Sequence, residues 1–223
     1  MKARVSAVKF VGFFLVFGPI LAGHRCDGSD PIREGKGEIF GRVSFLGGTQ
    51  ERDGPWQGEY GGWLYVNPGT VLQEDDWLLF GGGAGWNITN HWNINTEFLY
   101  ASTDLTLEMP YGLDPAQGSR LTALFLLKID YNVFAKSLTP FVSGGIGVGY
   151  WRDELRWDVY GGPEEISSDD LDTYDLGFAW AVGGGARWDI TDWLFIKVSY
   201  EVIGVPSGDY RNGVSLSSGI MFR

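Results

Sequence analysis

The charged residues that could do chemistry in this chain recur at even spacings. Over Arg120–Phe134, the residues Arg120, Lys128 and Asp130 share one parity with Thr122, Leu124, Leu126 and Asn132. Leu121, Ala123, Phe125, Leu127, Ile129, Tyr131 and Val133 hold the other. The same split puts Glu38, Arg42, Glu97, Arg187, Lys197 and Glu201 on a face opposite apolar neighbours. These four acids and five bases would all point to one side of a folded sheet. If that side is a closed interior only wide enough for side chains, the charges must pair with one another. Two chemistries then compete. The leading one is a structural ion-pair network that seals the interior, and the alternative is a narrow conducting path.

Other reactive residues are scarce. The two histidines are His24, near an N-terminal export signal, and His91, in a short polar turn. Neither is placed to join a serine and a carboxylate, so no catalytic residue is assigned and the chain is read as a non-enzyme. No cofactor is expected. Acids cluster at Glu74, Asp75 and Asp76, and again at Asp153, Glu154, Asp158, Glu164, Glu165, Asp169, Asp170 and Asp172. Their spacing does not match an Asp-x-Asp-x-Asp-Gly calcium loop, so they are read as a solvated anionic rim on long loops, with no metal. Gly81, Gly83, Gly85, Gly145, Gly147, Gly149, Gly183 and Gly185 share the parity of the inward charges. No helix follows these runs, which excludes a phosphate loop. They would make room for long side chains and for strand curvature.

Strands must position these residues. Period-two alternation predicts eight, over Gly37–Leu46, Trp77–Ile88, Trp92–Tyr100, Arg120–Phe134, Pro140–Trp151, Tyr174–Trp188, Leu194–Val202 and Gly213–Arg223. Their connections alternate in length. Asn87–His91, Ala135–Thr139 and Asp189–Asp192 are tight, whereas Gly47–Asp76, Ser102–Ser119 and Arg152–Thr173 are long and Val205–Asn212 is moderate. All long loops thus fall at one end, with both termini at the other. A hairpin device repeats: Gly81-Gly-Gly-Ala-Gly-Trp-Asn-Ile-Thr-Asn90 is echoed by Gly183-Gly-Gly-Ala-Arg-Trp-Asp-Ile-Thr-Asp192. Aromatics mark the strand ends. Trp86, Trp92, Trp188 and Trp193 flank the tight turns, and Trp77, Tyr100, Tyr150, Trp151 and Tyr174 lie near the opposite ends. Two such girdles are expected where a barrel meets two membrane interfaces.

Composition agrees. The 223 residues include 34 Gly and 10 Trp, with 15% aromatics, and a mean hydropathy of −0.07 is too polar for a helical membrane protein. Lys2, Arg4 and Lys9 precede an apolar run from Phe10 to Phe17, and Ala22 and Gly23 follow. That order reads as a signal peptide over residues 1–23, then a short periplasmic linker over 24–36 and a barrel over 37–223. Removing the signal takes three positive charges from a chain of net −11 and leaves −14. So acidic a chain argues against nucleic-acid binding. Cys26 is the only cysteine, which rules out an intrachain disulfide.

With the repeated hairpin, Phe141-Val-Ser-Gly-Gly-Ile-Gly-Val-Gly-Tyr150 and the terminal Gly219-Ile-Met-Phe222, the chain after about residue 36 resembles the OmpA/OmpX-like family of small outer-membrane barrels, including the general outer-membrane β-barrel domain. It is less similar to OmpW-like barrels, which are associated with small hydrophobic molecules. The resemblance implies an all-β, eight-stranded antiparallel up-and-down transmembrane barrel in a bacterial outer membrane, with both termini periplasmic. It also implies contact with lipid and lipopolysaccharide, handling by the barrel-assembly machinery, and a monomer. Family members commonly end in an aromatic residue that this machinery reads; here Phe222 is penultimate, before Arg223. The expected function is structural or surface interaction, through adhesion or partner contact at the long acidic loops. The alternatives are a narrow channel for small solutes or hydrophobic molecules, and a lipid-modifying enzyme.

Overall fold

The computed structural model describes residues 32–47, 52–53, 71–74, 76–108, 116–160, 166–205 and 210–223. The signal-peptide reading, His24, Cys26, Asp75, Glu164 and Glu165 lie outside the described residues. The regular structure described is entirely β. In chain order the strands are β1 (Gly37–Gly47), β2 (Arg52–Asp53), β3 (Val71–Glu74), β4 (Trp77–Asn87) and β5 (Trp92–Glu108), followed by β6 (Ala116–Asn132), β7 (Leu138–Tyr160), β8 (Ile166–Asp189), β9 (Leu194–Gly204) and β10 (Tyr210–Phe222).

Eight of these close into a barrel. From β4 to β10 each strand pairs antiparallel with the next, and β1 pairs with both β4 and β10. Closure leaves no free edge around the barrel wall. The first and last strands meet in continuous register from Gly37↔Phe222 to Gly47↔Asn212. The two short strands were not legible in the sequence. They extend the wall at the long-loop end: β3 pairs with β5 from Val71↔Glu108 to Glu74↔Leu105, and β2 pairs with β3.

The alternation that specifies each strand follows from what surrounds it. Phe45, Phe80, Phe98, Phe125, Val148, Phe178, Val198 and Val214 are exposed on the outer surface. Their sequence neighbours point inward and are buried, apart from half-buried glycines such as Gly81 and Gly147. An apolar outer face with a polar inner one suits a barrel crossing lipid. Beyond bilayer depth the outer face need not be apolar, so the alternation fades while the backbone ladder continues. For this reason the fifth and sixth predicted strands, Pro140–Trp151 and Tyr174–Trp188, are too short at the long-loop end. In the structure β7 has 23 residues and β8 has 24, about twice the 9–11 that cross a bilayer. Asp153, Glu154, Asp158, Asp169, Asp170 and Asp172, expected in a loop, therefore lie on this long hairpin. β9 pairs with β8 only over Trp180–Asp189, so the hairpin stands above its neighbour.

Candidate functional site

The lumen is built in tiers, beginning at the tight-turn end. There Glu38, Asp130, Arg187 and Lys197 are joined by Asp189 and Arg33. Arg187 bonds Glu38 at 2.6 Å and Asp189 at 2.7 Å. Lys197 Nζ lies 2.9 Å from Asp130 and 3.5 Å from Glu38. Three acids meet three bases. A file of amides tightens the tier: Asn87 donates to Glu38 (2.8 Å), Asn93 to Asn87 (3.2 Å), and Asn95 to both Asn93 (3.0 Å) and Asp130 (3.2 Å). Phe40, Phe195 and Met221 pack beside it. The Arg187 guanidinium lies 4.6 Å from the Phe195 ring centroid, and Lys197 Nζ lies 5.3 Å from it, within cation–π range.

The middle tier is a quartet. Arg42 donates to Glu97 at 2.5 Å and to Glu201 at 2.8 Å. Lys128 reaches Glu97 at 3.3 Å and Glu201 at 3.1 Å. Ser199 donates to Glu201 at 2.9 Å, and Arg42 also donates to Ser44 and Ser215. Two positive and two negative groups, all buried, cancel. Mutual pairing with these extra hydrogen bonds is the condition under which buried ions are tolerated.

Above the quartet comes a tier whose inward residues the sequence parity placed but whose chemistry it did not single out. Leu46, Trp77, Leu79, Leu99, Leu124, Leu126 and Ile203 fill the cross-section with Ala101, Ala179, Ala181 and Val205. Trp77, assigned to a girdle, is 1% exposed and belongs to this plug. Its strand begins at Trp77 as predicted, but Trp77 shares the inward parity of Gly81, Gly83 and Gly85, so the ring turns into the lumen opposite Leu46. The last tier caps the plug. Arg120 grips Asp153 through two bonds of 2.6 Å and lies 5.1 Å from the Trp151 ring; Arg211 lies 5.1 Å from the Trp77 ring. Trp151 too leans inward, with its indole N–H shielded, so it is not a girdle residue. Trp86, Trp92, Tyr100, Trp188, Trp193 and Tyr174 are exposed on the outer face, and Tyr150 is half-buried there. Phe222 is exposed at the end of β10, beside Gly37.

The inward glycines divide by what a Cβ would meet. At Gly145 and Gly183 it would strike the side chains of Lys128 (Cγ, 2.4 Å) and Glu201 (Cγ, 2.5 Å). These glycines make room for the quartet. At Gly81, Gly147 and Gly185 it would fall 1.9 Å from the carbonyl oxygen of the neighbouring strand. Here the requirement is backbone approach where the wall curves.

All nine predicted interior charges are buried in the lumen, though they do not form one cluster. Eight fall in the two lower tiers, while Arg120 sits apart at the cap. The sequence reading missed four partners. Asp189, Asp153 and Arg211 each lie on the inward parity of a strand, one or two rungs past its predicted end, so extending the alternation would have found them. Arg33 precedes the first strand and carries no such signal. Among the described residues no group of His, Cys, Asp and Glu is arranged to hold a metal ion, and no helix is long and apolar enough to cross a membrane.

A family model for the outer membrane protein beta-barrel domain matches residues 49–222. Among solved structures, the attachment invasion locus protein Ail of Yersinia pestis is similar at 14% identity, over 85% of this chain and 99% of that one, with a TM-score of 0.49. OprG of Pseudomonas aeruginosa is similar at 13% identity, over 87% and 99%, with a TM-score of 0.46. The N-terminal barrel of Pseudomonas aeruginosa OprF is similar at 14% identity, over 85% and 98%, with a TM-score of 0.42. No curated protein matches in sequence. The family match takes in seven of the eight barrel strands, and β1 supplies the closing one. The chain belongs to the outer membrane protein beta-barrel domain family and is a β-barrel of the bacterial outer membrane.

Proposed function

We propose that the protein is a non-enzymatic surface barrel: a sealed, rigid cylinder that supports the outer membrane and holds a β-structured platform outside it. The tight turns and both termini face the periplasm, residues 1–23 are removed on export, and the barrel works as a monomer surrounded by lipid and lipopolysaccharide. The observation that carries the reading is the tiered lumen. A charge-neutral quartet is backed by an apolar layer, and an apolar constriction excludes water and ions even where its radius would admit them. Space made by Gly145 and Gly183 is taken up by Lys128 and Glu201. Surface contact is supported by the long β7–β8 hairpin, whose ladder runs past Tyr174 through the acidic stretch, beyond the pairing with β9.

Planar-bilayer recording tests this. The expected result is background conductance for the wild type. Steps well above background that vanish on Lys128→Gln or Arg187→Gln would establish a channel instead. The lipid-modifying alternative has a separate test, since it requires altered lipid A in a deletion strain by mass spectrometry; the sealed-barrel reading expects none.

A further inference from the structure

The residues just before β1 do not hang free. Ile32 to Lys36 fold across the tight-turn mouth, and Arg33 is completely buried there. Gly35, with φ +73°, supplies the left-handed bend that few other residues adopt, and its N–H donates to Asn87 O at 2.8 Å. Asn87 N–H donates in turn to Lys36 O at 2.9 Å. Once bent back, the Arg33 guanidinium meets acceptors from all three tight turns. Nε donates to Asp189 Oδ2 at 2.5 Å, and Nη1 to Asn90 O at 3.1 Å and, more weakly, to Phe134 O at 3.4 Å. Nη2 donates to Lys136 O. Asn90 Oδ1 receives the Arg33 N–H at 2.9 Å, and Lys36 Nζ donates to Asp192 O at 2.9 Å.

We infer that the three tight turns form a guanidinium-binding socket, occupied in cis by Arg33, which closes the tight-turn mouth of the lumen. The acceptors are one carboxylate and three backbone carbonyls. A planar fork with five N–H donors satisfies such a set, whereas the compact ammonium of lysine cannot reach all of it. Charge points the same way. The tier behind the mouth is neutral only with Arg33 counted, since Glu38, Asp130 and Asp189 face Arg187 and Lys197 alone without it. The socket is therefore selective for an alkylguanidinium, and its occupancy decides whether solution reaches the lower lumen. This inference does not depend on the surface role proposed above.

Chemical rescue tests it. Ser143 lies inside the mouth and its hydroxyl has no hydrogen-bond partner among the described residues, so Ser143→Cys makes a quiet reporter. In a Cys26→Ser background of the full protein, in detergent, methanethiosulfonate labelling of this cysteine is followed with Arg33 intact and with Arg33→Ala. We expect slow labelling with Arg33, faster labelling by at least an order of magnitude in Arg33→Ala, and slow labelling again on adding millimolar ethylguanidinium but not ethylammonium. Arg33→Lys should label like the alanine variant. Equal labelling with and without Arg33, or equal rescue by both cations, overturns the socket. Should Arg33→Ala fail to assemble, the additives go into refolding. Barrel formation with ethylguanidinium alone supports the inference, and formation with both or with neither overturns it.

Discussion

Replacing Glu201 with Gln removes one charge from the middle of the lumen while keeping the shape of the side chain. Glu201 takes hydrogen bonds from Arg42 (2.8 Å), from Lys128 (3.1 Å to each oxygen) and from Ser199 (2.9 Å). After the change, Arg42 and Lys128 share Glu97 as their only carboxylate, and the quartet carries a net positive charge with no water to screen it. Breaking a buried pair by deleting one partner costs about 3–5 kcal/mol. Glutamine still offers a carbonyl to one donor, which places the expected loss near the low end, at about 3 kcal/mol. That is a drop of roughly 150-fold in the folding equilibrium constant. Urea titration of the barrel refolded in lipid vesicles, read by tryptophan fluorescence and by gel migration of unboiled samples, measures it. Adding Lys128→Met restores neutrality, so the double variant should recover part of the loss, giving a favourable coupling between the two sites. A single-variant cost below about 1 kcal/mol would show that water screens the quartet and that the lumen is wet. The tier argument would then fail.

Three further outcomes follow from the same structure. Gly147→Val should block barrel assembly, because a Cβ there sits 1.9 Å from Phe125 O, whereas Gly144→Ala, which meets nothing within 4 Å, should assemble normally; unboiled gel migration distinguishes the two. Trp77→Ala should cost about 3–5 kcal/mol in the urea titration by opening a cavity in the apolar plug, while Trp193→Ala, 50% exposed, should cost well under half as much. Asp153→Asn should strip Arg120 of its two-point carboxylate grip at side-chain exposures of 3% and 5%; we expect a loss of about 1–3 kcal/mol without conductance, because the apolar layer below still closes the bore.

How far the sequence reaches differs by tier. Parity alone places Arg42, Glu97, Lys128 and Glu201 on one face, since a strand's side chains alternate strictly and one register holds the whole length. It places Leu99, Leu124 and Leu126 there too. That these leucines form a plug follows only once eight strands stagger around a closed wall and bring Leu46, Trp77 and Ile203 to the same height. Trp77 shows the risk of reading position without register. An aromatic at a strand end is a girdle residue or a core residue according to one step of parity. Asp153 and Asp189 were legible in kind but lost in boundary, because apolar alternation marks the depth of lipid and not the length of the strand.

The sequence by itself determined the number of strands in the barrel wall, the order of tight and long connections, and the division of side chains into an outer and an inner set. These are local properties, written into a period of two and into turn chemistry. Tertiary structure decided which inner residues meet. Glu201 and Arg42 are 159 residues apart, and Arg33 and Asp189 are 156 apart; barrel closure and shear bring each pair into contact, and neither is encoded in any short window. Arg33 is the clearest case. It has no strand, no alternation and no motif, only a glycine two residues later that permits the bend, and it finds its four acceptors because closure has already gathered three turns at one mouth.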